Sequence, residues 1–462
     1  MKILTDINLK DKIPEFYIQT FSLLYFPEDN SFGEKNQSGN TIKISGDDIN
    51  ISVEICFNQT TVKKSGPPGI DYVAGAGKLF YAAAGEITGI YPPWGIHTGI
   101  RPAKTAEGKT AEMLRSDYLM HKNKAELAAE VCKNGKARAD ADTYSLYISI
   151  PFCPTKCRYC SFVSFSTPRL LKLIPAYINK LTEETALISA QTRSMRLTAV
   201  YIGGGTPTTL DCAELESVLS AVVNNFDMQY LSEYTVECGR ADTITEEKLE
   251  LLKKFGVDRI SVNPQTLNDE ILQKIGRNHT SKDFFRAFGA ARKTGIKIIN
   301  TDCIIGLPDE TERSMINTIT TLAILKPENI TVHSLCLKKS SGLKSDNYCI
   351  TNAPELNDTL EAGYDILRSA GYKPYYMYRQ KYAAGNLENT GFCLDNCECL
   401  YNIYMMDEIQ TIFGAGAGAM TKLVRGGRIE RVANYKYPYE YIERDFKLKR
   451  EAEKLAFTMG FK

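Results

Sequence analysis

What this sequence does not contain narrows it quickly. No uninterrupted apolar stretch approaches the ~18 residues of a membrane span, so no span is expected. The opening residues, MKILTDINLKDKIPEF, carry charges throughout and lack an apolar core of export-signal length, and a cytoplasmic protein is expected. Charge of one sign is missing too. The 56 Lys and Arg against 55 Asp and Glu leave a formal net charge of +1, which gives no electrostatic case for nucleic acid or an acidic membrane surface as the main partner. Internal repeats and low-complexity tracts are absent as well.

Cysteine, by contrast, is plentiful. There are 13, an odd number, without an export signal. That argues for reduced thiols and metal chemistry rather than a disulfide framework. Cys56, Cys303 and Cys336 stand alone in apolar runs and read as small buried hydrophobes. With 462 residues, 43% hydrophobic and 24% charged, the chain has room for roughly two to four domains of ordinary globular composition.

Three segments follow from the patterning. Residues 1–140 read as an α+β domain. NQSGNTIKISGDDINISVEICFN alternates as two strands about a Gly-Asp-Asp turn, GAGKLFYAAAGEITGIY reads as a helix, and one polar helix is expected near 110–134. KNGKARADADT is the linker candidate. Residues 141–345 alternate strand and helix. SLYISI, LTAVYI, EYTVEC, DRISVN, IKIINTDCIIG and NITVHSL are the strands, with helical periodicity between them. The expected class is α/β, a partial (β/α)6 barrel; a doubly wound sheet is the alternative, because periodicity does not fix strand order. Residues 346–462 form a C-terminal accessory region, expected to cover the substrate.

In a βα barrel, functional groups gather at the C-terminal ends of the strands. Strand one here ends in Cys153, Cys157 and Cys160, spaced C-x3-C-x2-C, and strand two in GGGTPT, residues 203–208. Strand three ends in Glu237, strand four leads to Asn263 and Gln265, strand five carries Asp302 and strand six His333. Three cysteines are one short of a structural zinc site, which would need a fourth ligand from elsewhere. A [4Fe–4S] cluster held by three thiolates keeps one iron open to an external chelate such as an amino acid moiety. Successive glycines bring backbone amides close to a ligand.

The triplet, with Tyr159 before its last cysteine, resembles the radical S-adenosylmethionine (radical SAM) superfamily. YISIPFC, YIGGGTPTTL, RISVNPQTLND, IGR and DCIIGLP resemble oxygen-independent coproporphyrinogen III oxidases. PPWGIHTGIRPAK and YRQKYAAGNLENTG are similar to the branch called HemZ. The resemblance spans about residues 85–445 and implies the following. Cys153, Cys157 and Cys160 hold a [4Fe–4S] cluster. Gly204, Gly205 and Thr206 hold the methionyl end of S-adenosylmethionine (SAM). Glu237, Gln265, Arg277 and Asp302 contact one or two SAM molecules, and Tyr147, near the site, is the catalytic candidate. The activity implied is oxidative decarboxylation of coproporphyrinogen III to protoporphyrinogen IX by a monomer, with a ferredoxin or flavodoxin donor and a tetrapyrrole substrate. Arg101, Lys104, Lys338, Arg379 and Lys381 are candidates to meet its propionates. Other radical SAM chemistry on a tetrapyrrole, including methyl transfer or haem degradation, and haem carriage without oxidase activity are the alternatives.

Two features depart from that pattern. Ser149 stands where the family commonly has histidine, and GFCLDNCECLYN adds Cys393, Cys397 and Cys399. The added cysteines are read as a second metal site or as thiols near the substrate. FGAGAGAM, residues 413–420, reads as a close-packed turn, since no P-loop lysine follows.

Overall fold

The structure is a computed structural model. It describes residues 1–26, 39–69, 71–137, 139–162, 164–338, 341–345, 348, 353–381, 383–446 and 453. The chain divides into two compact units.

The first unit comprises Met1–Cys132 with Tyr378–Lys381 and Gly385–Glu388. Its sheet runs β1 (Lys2–Thr5), β2 (Thr41–Gly46), β3 (Ile51–Phe57), β4 (Thr60–Gly66), with β1 parallel to β2 and the remaining pairs antiparallel. Ile42, Ile44, Ile51, Val53 and Ile55 alternate onto one buried face, as a period of two requires. Asp47 makes the turn between β2 and β3, its Oδ1 accepting from the amides of Ile49 and Asn50 at 2.9 Å each. Helix Tyr72–Thr88 starts where Asp71 accepts from the amides of Val73 and Ala74, and ends at Gly89. The polar helix expected near 110–134 is in fact two, Ala111–Tyr118 and Lys122–Asn134. Leu119, at φ 56°, turns left-handed and closes the first. Arg379 also belongs here and is buried, Nη1 donating to the His97 carbonyl at 2.5 Å and Nη2 to the Asn386 carbonyl at 3.3 Å. An arginine committed in this way is not an open anchor for a propionate.

The second unit comprises Lys133–Met377, Tyr382–Ala384 and Asn389–Lys462. Its strands are β5 (Thr143–Ile150), β6 (Arg196–Gly204), β7 (Glu233–Glu237), β8 (Arg259–Ser261), β9 (Ile298–Ile305), β10 (Asn329–Ser334), β11 (Lys373–Arg379), β12 (Glu388–Cys393), β13 (Thr411–Ala415), β14 (Met420–Arg425) and β15 (Arg428–Ala433). They form one sheet in the order β11-β12-β10-β9-β8-β7-β6-β5-β13-β14-β15. β5 to β10 are consecutive and parallel, the six-unit α/β pattern read from the sequence. β13 returns as a seventh parallel strand beside β5, while β12 and β14 are antiparallel to their neighbours. Among the described residues no pairing joins the two edges, so the barrel is partial rather than closed. The segment read as a close-packed turn is half strand: Phe413–Ala415 pairs with β5, and only beyond it does Gly416, at φ 93°, turn.

The helices between these strands begin at polar caps visible in the sequence. Asp211 and Thr280 form capping boxes with Glu214 and Asp283, and the Thr245 and Thr311 side chains accept from the amides of Lys248 and Ser314. Alternation then sorts the strands into two faces. Leu146, Ile148, Val200, Ile202, Val236, Ile260, Ile330 and Val332 are fully buried. The opposite face is polar, carrying Ser145, Tyr147, Ser149, Tyr201, Thr235, Glu237, Ser261, Asn300, Asp302, Thr331 and His333. A sheet face this polar and this buried needs its own partners or a ligand.

Candidate active site at the strand ends

The cysteine loop leaves the end of β5 and is tied down on both sides. The Gly205 amide donates to the Ile150 carbonyl and the Thr206 amide to the Phe152 carbonyl, both at 2.8 Å, so the GGGT segment continues beside the loop. The Arg158 amide donates to the Ile275 carbonyl at 2.9 Å. None of the three thiols is in a disulfide; Cys157 is buried, and Cys153 and Cys160 are half-buried. Cys153 Sγ lies 3.4 Å from Thr206 Oγ1, and Arg240 Nη1 donates to Cys157 Sγ at 3.5 Å. Burial pushes the Cys153 thiol up and the Cys160 thiol to about 11. Loading a metal centre here therefore releases protons.

Glu237 ends β7 with its carboxylate against the glycine segment. Oε1 accepts from Tyr201 Oη at 2.7 Å and Oε2 from the Gly204 amide at 3.2 Å. A Cβ on Gly203 would stand 2.7 Å from the Glu237 carboxyl carbon, so only glycine permits this approach. Gly204 is at φ 106°, and a Cβ there would meet Ser149 Oγ at 2.9 Å. Burial, with the Asp302 charge adding to it, pushes the Glu237 carboxyl up to about 7 despite its two donors.

Asp302 is the counterpart. Asn263 Nδ2 and Asn300 Nδ2 each donate to it at 2.7 Å, and His333 Nε2 lies 3.7 Å from Oδ2. Burial opposes ionisation, yet His333, Asn300 and Thr331 outweigh it and hold the carboxyl below its usual range. Gln265 sits at φ 68°, its amide donating to the Asp302 carbonyl at 3.0 Å. Its Oε1 is buried without a hydrogen-bond partner, as are Ser261 Oγ and Thr235 Oγ1. Arg277 is buried too. Nε and Nη2 donate to Tyr159 Oη at 3.2 and 2.8 Å, and Nη1 to the Gly239 carbonyl at 2.8 Å. It therefore reaches into the cysteine loop through the aromatic residue between Cys157 and Cys160. The strand-end residues expected to share a site thus stand at the same end of the sheet as the cysteines.

Tyr147 lies deeper on the inner face, beside a stacked pair of rings that sequence reasoning missed. Its ring is 6.2 Å from Tyr201 and 6.1 Å from Tyr401, which are themselves 4.4 Å apart, all within 26° of parallel. Burial pushes the Tyr147 phenol well up, so it stays protonated. Tyr201 was findable, because it is two residues before Gly203 and must share its face. Tyr401, from helix Leu400–Asp407, left no local signal. Ser149, in the histidine's place, donates from Oγ to the Ala417 carbonyl at 2.8 Å.

The added cysteines are elsewhere. Cys393 pairs with Asn329, the first residue of β10, and Cys399 Sγ donates to Glu233, the first residue of β7, at 3.2 Å. Both mark the N-terminal end of the strands, opposite the triplet, which corrects the reading of thiols near the substrate. Cys397 Sγ turns back to the Asp395 carbonyl at 3.6 Å. Among the described residues, no three His, Cys, Asp or Glu side chains converge on one metal ion. A site for a single metal ion, such as zinc, therefore has no support among the described residues.

The triplet does fit a cubane, which asks each thiolate to meet its own iron rather than all three to converge. Free thiols backed by a guanidinium and a hydroxyl suit an electron-rich cluster. The unpartnered oxygens of Gln265 and Ser261 beside two carboxylates suit a polar, cationic ligand such as SAM. Among the described residues no helix is long and apolar enough to cross a membrane.

Comparison with known proteins agrees with this donor set. The Radical SAM superfamily model matches residues 147–322. The oxygen-independent coproporphyrinogen-III oxidase-like protein HemZ of Bacillus subtilis is 38% identical over 378 residues, 77% of this chain and 75% of that protein. The heme chaperone HemW of the same organism is 37% identical over 198 residues, 42% of this chain and 51% of that one. The solved structure of Escherichia coli coproporphyrinogen III oxidase (HemN), a radical SAM enzyme, shares the fold at a TM-score of 0.56 and 22% identity, covering 68% of this chain and 71% of that one. The chain belongs to the radical SAM superfamily, in the HemZ-like group of oxygen-independent coproporphyrinogen-III oxidase-like proteins, and its cofactors are a [4Fe–4S] cluster and SAM.

Proposed function

We propose that this chain oxidatively decarboxylates propionate side chains of coproporphyrinogen III, giving protoporphyrinogen IX. The observation that carries the reading is the meeting of the three free thiols with Glu237, Gln265 and Asp302 at one end of a buried polar face. The likeness to HemZ over 77% of this chain supports the tetrapyrrole substrate. When bound, the cluster held by the three cysteines and the SAM beside it would supply radical chemistry for hydrogen abstraction at a propionate β-carbon.

The chain's own residues do the rest. Cys153, Cys157 and Cys160 hold the cluster. The backbone of Gly204 and Gly205, with Thr206, receives the methionyl end of SAM. Glu237, ionised above about pH 7, faces a cationic group of SAM. Gln265 and Asp302 fix polar groups further along the face, where a second SAM would sit. Arg277 steadies the loop through Tyr159. Tyr147, stacked with Tyr201 and Tyr401, forms an apolar floor that keeps water from the radical. Lys338 supplies a cation for the propionates. The carboxylate leaves as carbon dioxide as its bond to the α-carbon breaks and the vinyl double bond forms, and the one remaining electron passes to an external one-electron acceptor. A ferredoxin or flavodoxin would serve as the electron donor, and the protein works as a monomer.

A second reading, haem carriage without oxidation, is favoured by the likeness to HemW. Anaerobic incubation of reconstituted protein with SAM, reductant and coproporphyrinogen III, followed by mass spectrometry, separates the two when paired with a titration of the same protein with haem. Protoporphyrinogen IX supports the oxidase. Stoichiometric haem binding with unchanged coproporphyrinogen III supports the carrier.

A further inference from the structure

Arg240 stands three residues beyond Glu237 and is 3% exposed. Each of its nitrogens has a destination. Nε and Nη2 fork onto Asp242 Oδ1 and Oδ2 at 2.9 and 2.7 Å. Nη1 donates to the Thr155 carbonyl at 3.3 Å and hydroxyl at 3.0 Å, inside the cysteine loop, and to Cys157 Sγ at 3.5 Å. Behind the carboxylate lies His279, its side chain fully buried and its Nδ1 3.9 Å from Asp242 Oδ1. Burial opposes ionisation of Asp242, but His279 and the guanidinium outweigh it and keep the carboxylate charged.

This arrangement is more than a surface ion pair. The bidentate fork fixes the guanidinium plane, and Thr155 fixes its approach, so that one N–H is aimed at the sulfur of a buried thiol. Asp242 offsets the positive charge at a distance, so what reaches the sulfur is chiefly a directed N–H···S bond. Hydrogen bonds to cluster sulfurs stabilise the more negative, reduced state and raise the reduction potential.

We propose that Arg240, oriented by Asp242 and backed by His279, is a positioning residue that hydrogen-bonds the Cys157 thiolate and raises the reduction potential of the cluster, bringing it within reach of its electron donor. The inference rests on Cys157 being a cluster ligand.

The test is a redox titration of the reconstituted protein followed by electron paramagnetic resonance, with iron and sulfide counted in the same samples. Arg240→Met with Asp242→Asn removes the N–H···S bond without leaving an unpaired buried charge. At the wild-type midpoint its ratio of reduced to oxidised cluster should fall about tenfold, or ~59 mV for a one-electron couple. Arg240→Lys keeps the charge but loses the planar fork, and should shift the same way by less. Should the double variant fail to hold a cluster, Arg240→Lys decides alone. Wild-type iron and sulfide with an unmoved midpoint in either variant overturns the proposal. Cys157→Ala is the separate check: wild-type iron and sulfide there would remove the ligand assignment itself, whatever the arginine variants show.

Discussion

Glu237 makes the site's electrostatics measurable without turnover. Its carboxyl is held at about 7 instead of its ordinary 4.5, chiefly by burial. That difference corresponds to about 3 kcal/mol between the folded and unfolded chains. The sign follows from which state binds the proton. Below about pH 4.5 the group is protonated in both states and imposes no penalty. As pH rises from there, the unfolded chain ionises first and stability is lost, until the folded carboxyl also ionises near pH 7; above that the penalty is constant. Glu237→Gln keeps the shape and removes the titration. The variant should therefore gain about 2.5 kcal/mol relative to wild type between pH 5 and pH 8. Urea unfolding of both proteins without SAM, at several pH values in that range, measures it. Glu310, also pushed up to about 7 by burial, titrates in the same window, but it is present in both proteins and cancels in the difference. Any lost hydrogen bond to the Gly204 amide adds a constant offset rather than a slope. A difference that stays flat from pH 5 to pH 8 would refute the buried-carboxyl account.

Other expectations follow from the same geometry. Tyr201→Phe removes the 2.7 Å donor to Glu237; a hydrogen bond to a charged group is worth about 1.5–3 kcal/mol, so SAM affinity at pH 7.5 should fall roughly tenfold or more, read by anaerobic calorimetry. Gly204→Ala must place a Cβ 2.9 Å from Ser149 Oγ at φ 106°, costing about 1–3 kcal/mol, and should lower the unfolding midpoint and weaken SAM binding together. The Cys393/Cys397/Cys399 triple Ala variant should keep wild-type iron, sulfide and SAM cleavage, since those thiols stand at the far end of the strands; lost iron would show a metal site there after all.

The six βα units were legible because each strand alternates and each helix opens on a capping residue, as Asp211, Thr245, Thr280 and Thr311 do. The strand-end residues could be read for the same reason, since position along a parallel strand fixes which end a residue occupies. Long-range pairing was not legible. Nothing local in Thr411–Ala415 announces that it will pair with residues 144–148, so the glycines after it looked like a turn alone. Cys393 falls at the far end because β12 runs antiparallel to β10, and strand direction leaves no trace in composition. Tyr401 depends on a helix delivering it under Tyr147. Arg240 is a lone arginine in ECGRAD, and its partners Thr155, Cys157 and His279 come from other segments.

The central claim is that the radical formed at this site removes hydrogen from a propionate. The measurement that tests it most directly is the fate of deuterium placed at the propionate β-carbons of coproporphyrinogen III. Reconstituted protein is incubated anaerobically with SAM and reductant, and the 5′-deoxyadenosine is examined by mass spectrometry. The account predicts deuterium in the 5′-deoxyadenosine and protoporphyrinogen IX beside it, both lost in Cys153→Ala. Unlabelled 5′-deoxyadenosine with intact labelled substrate would contradict it.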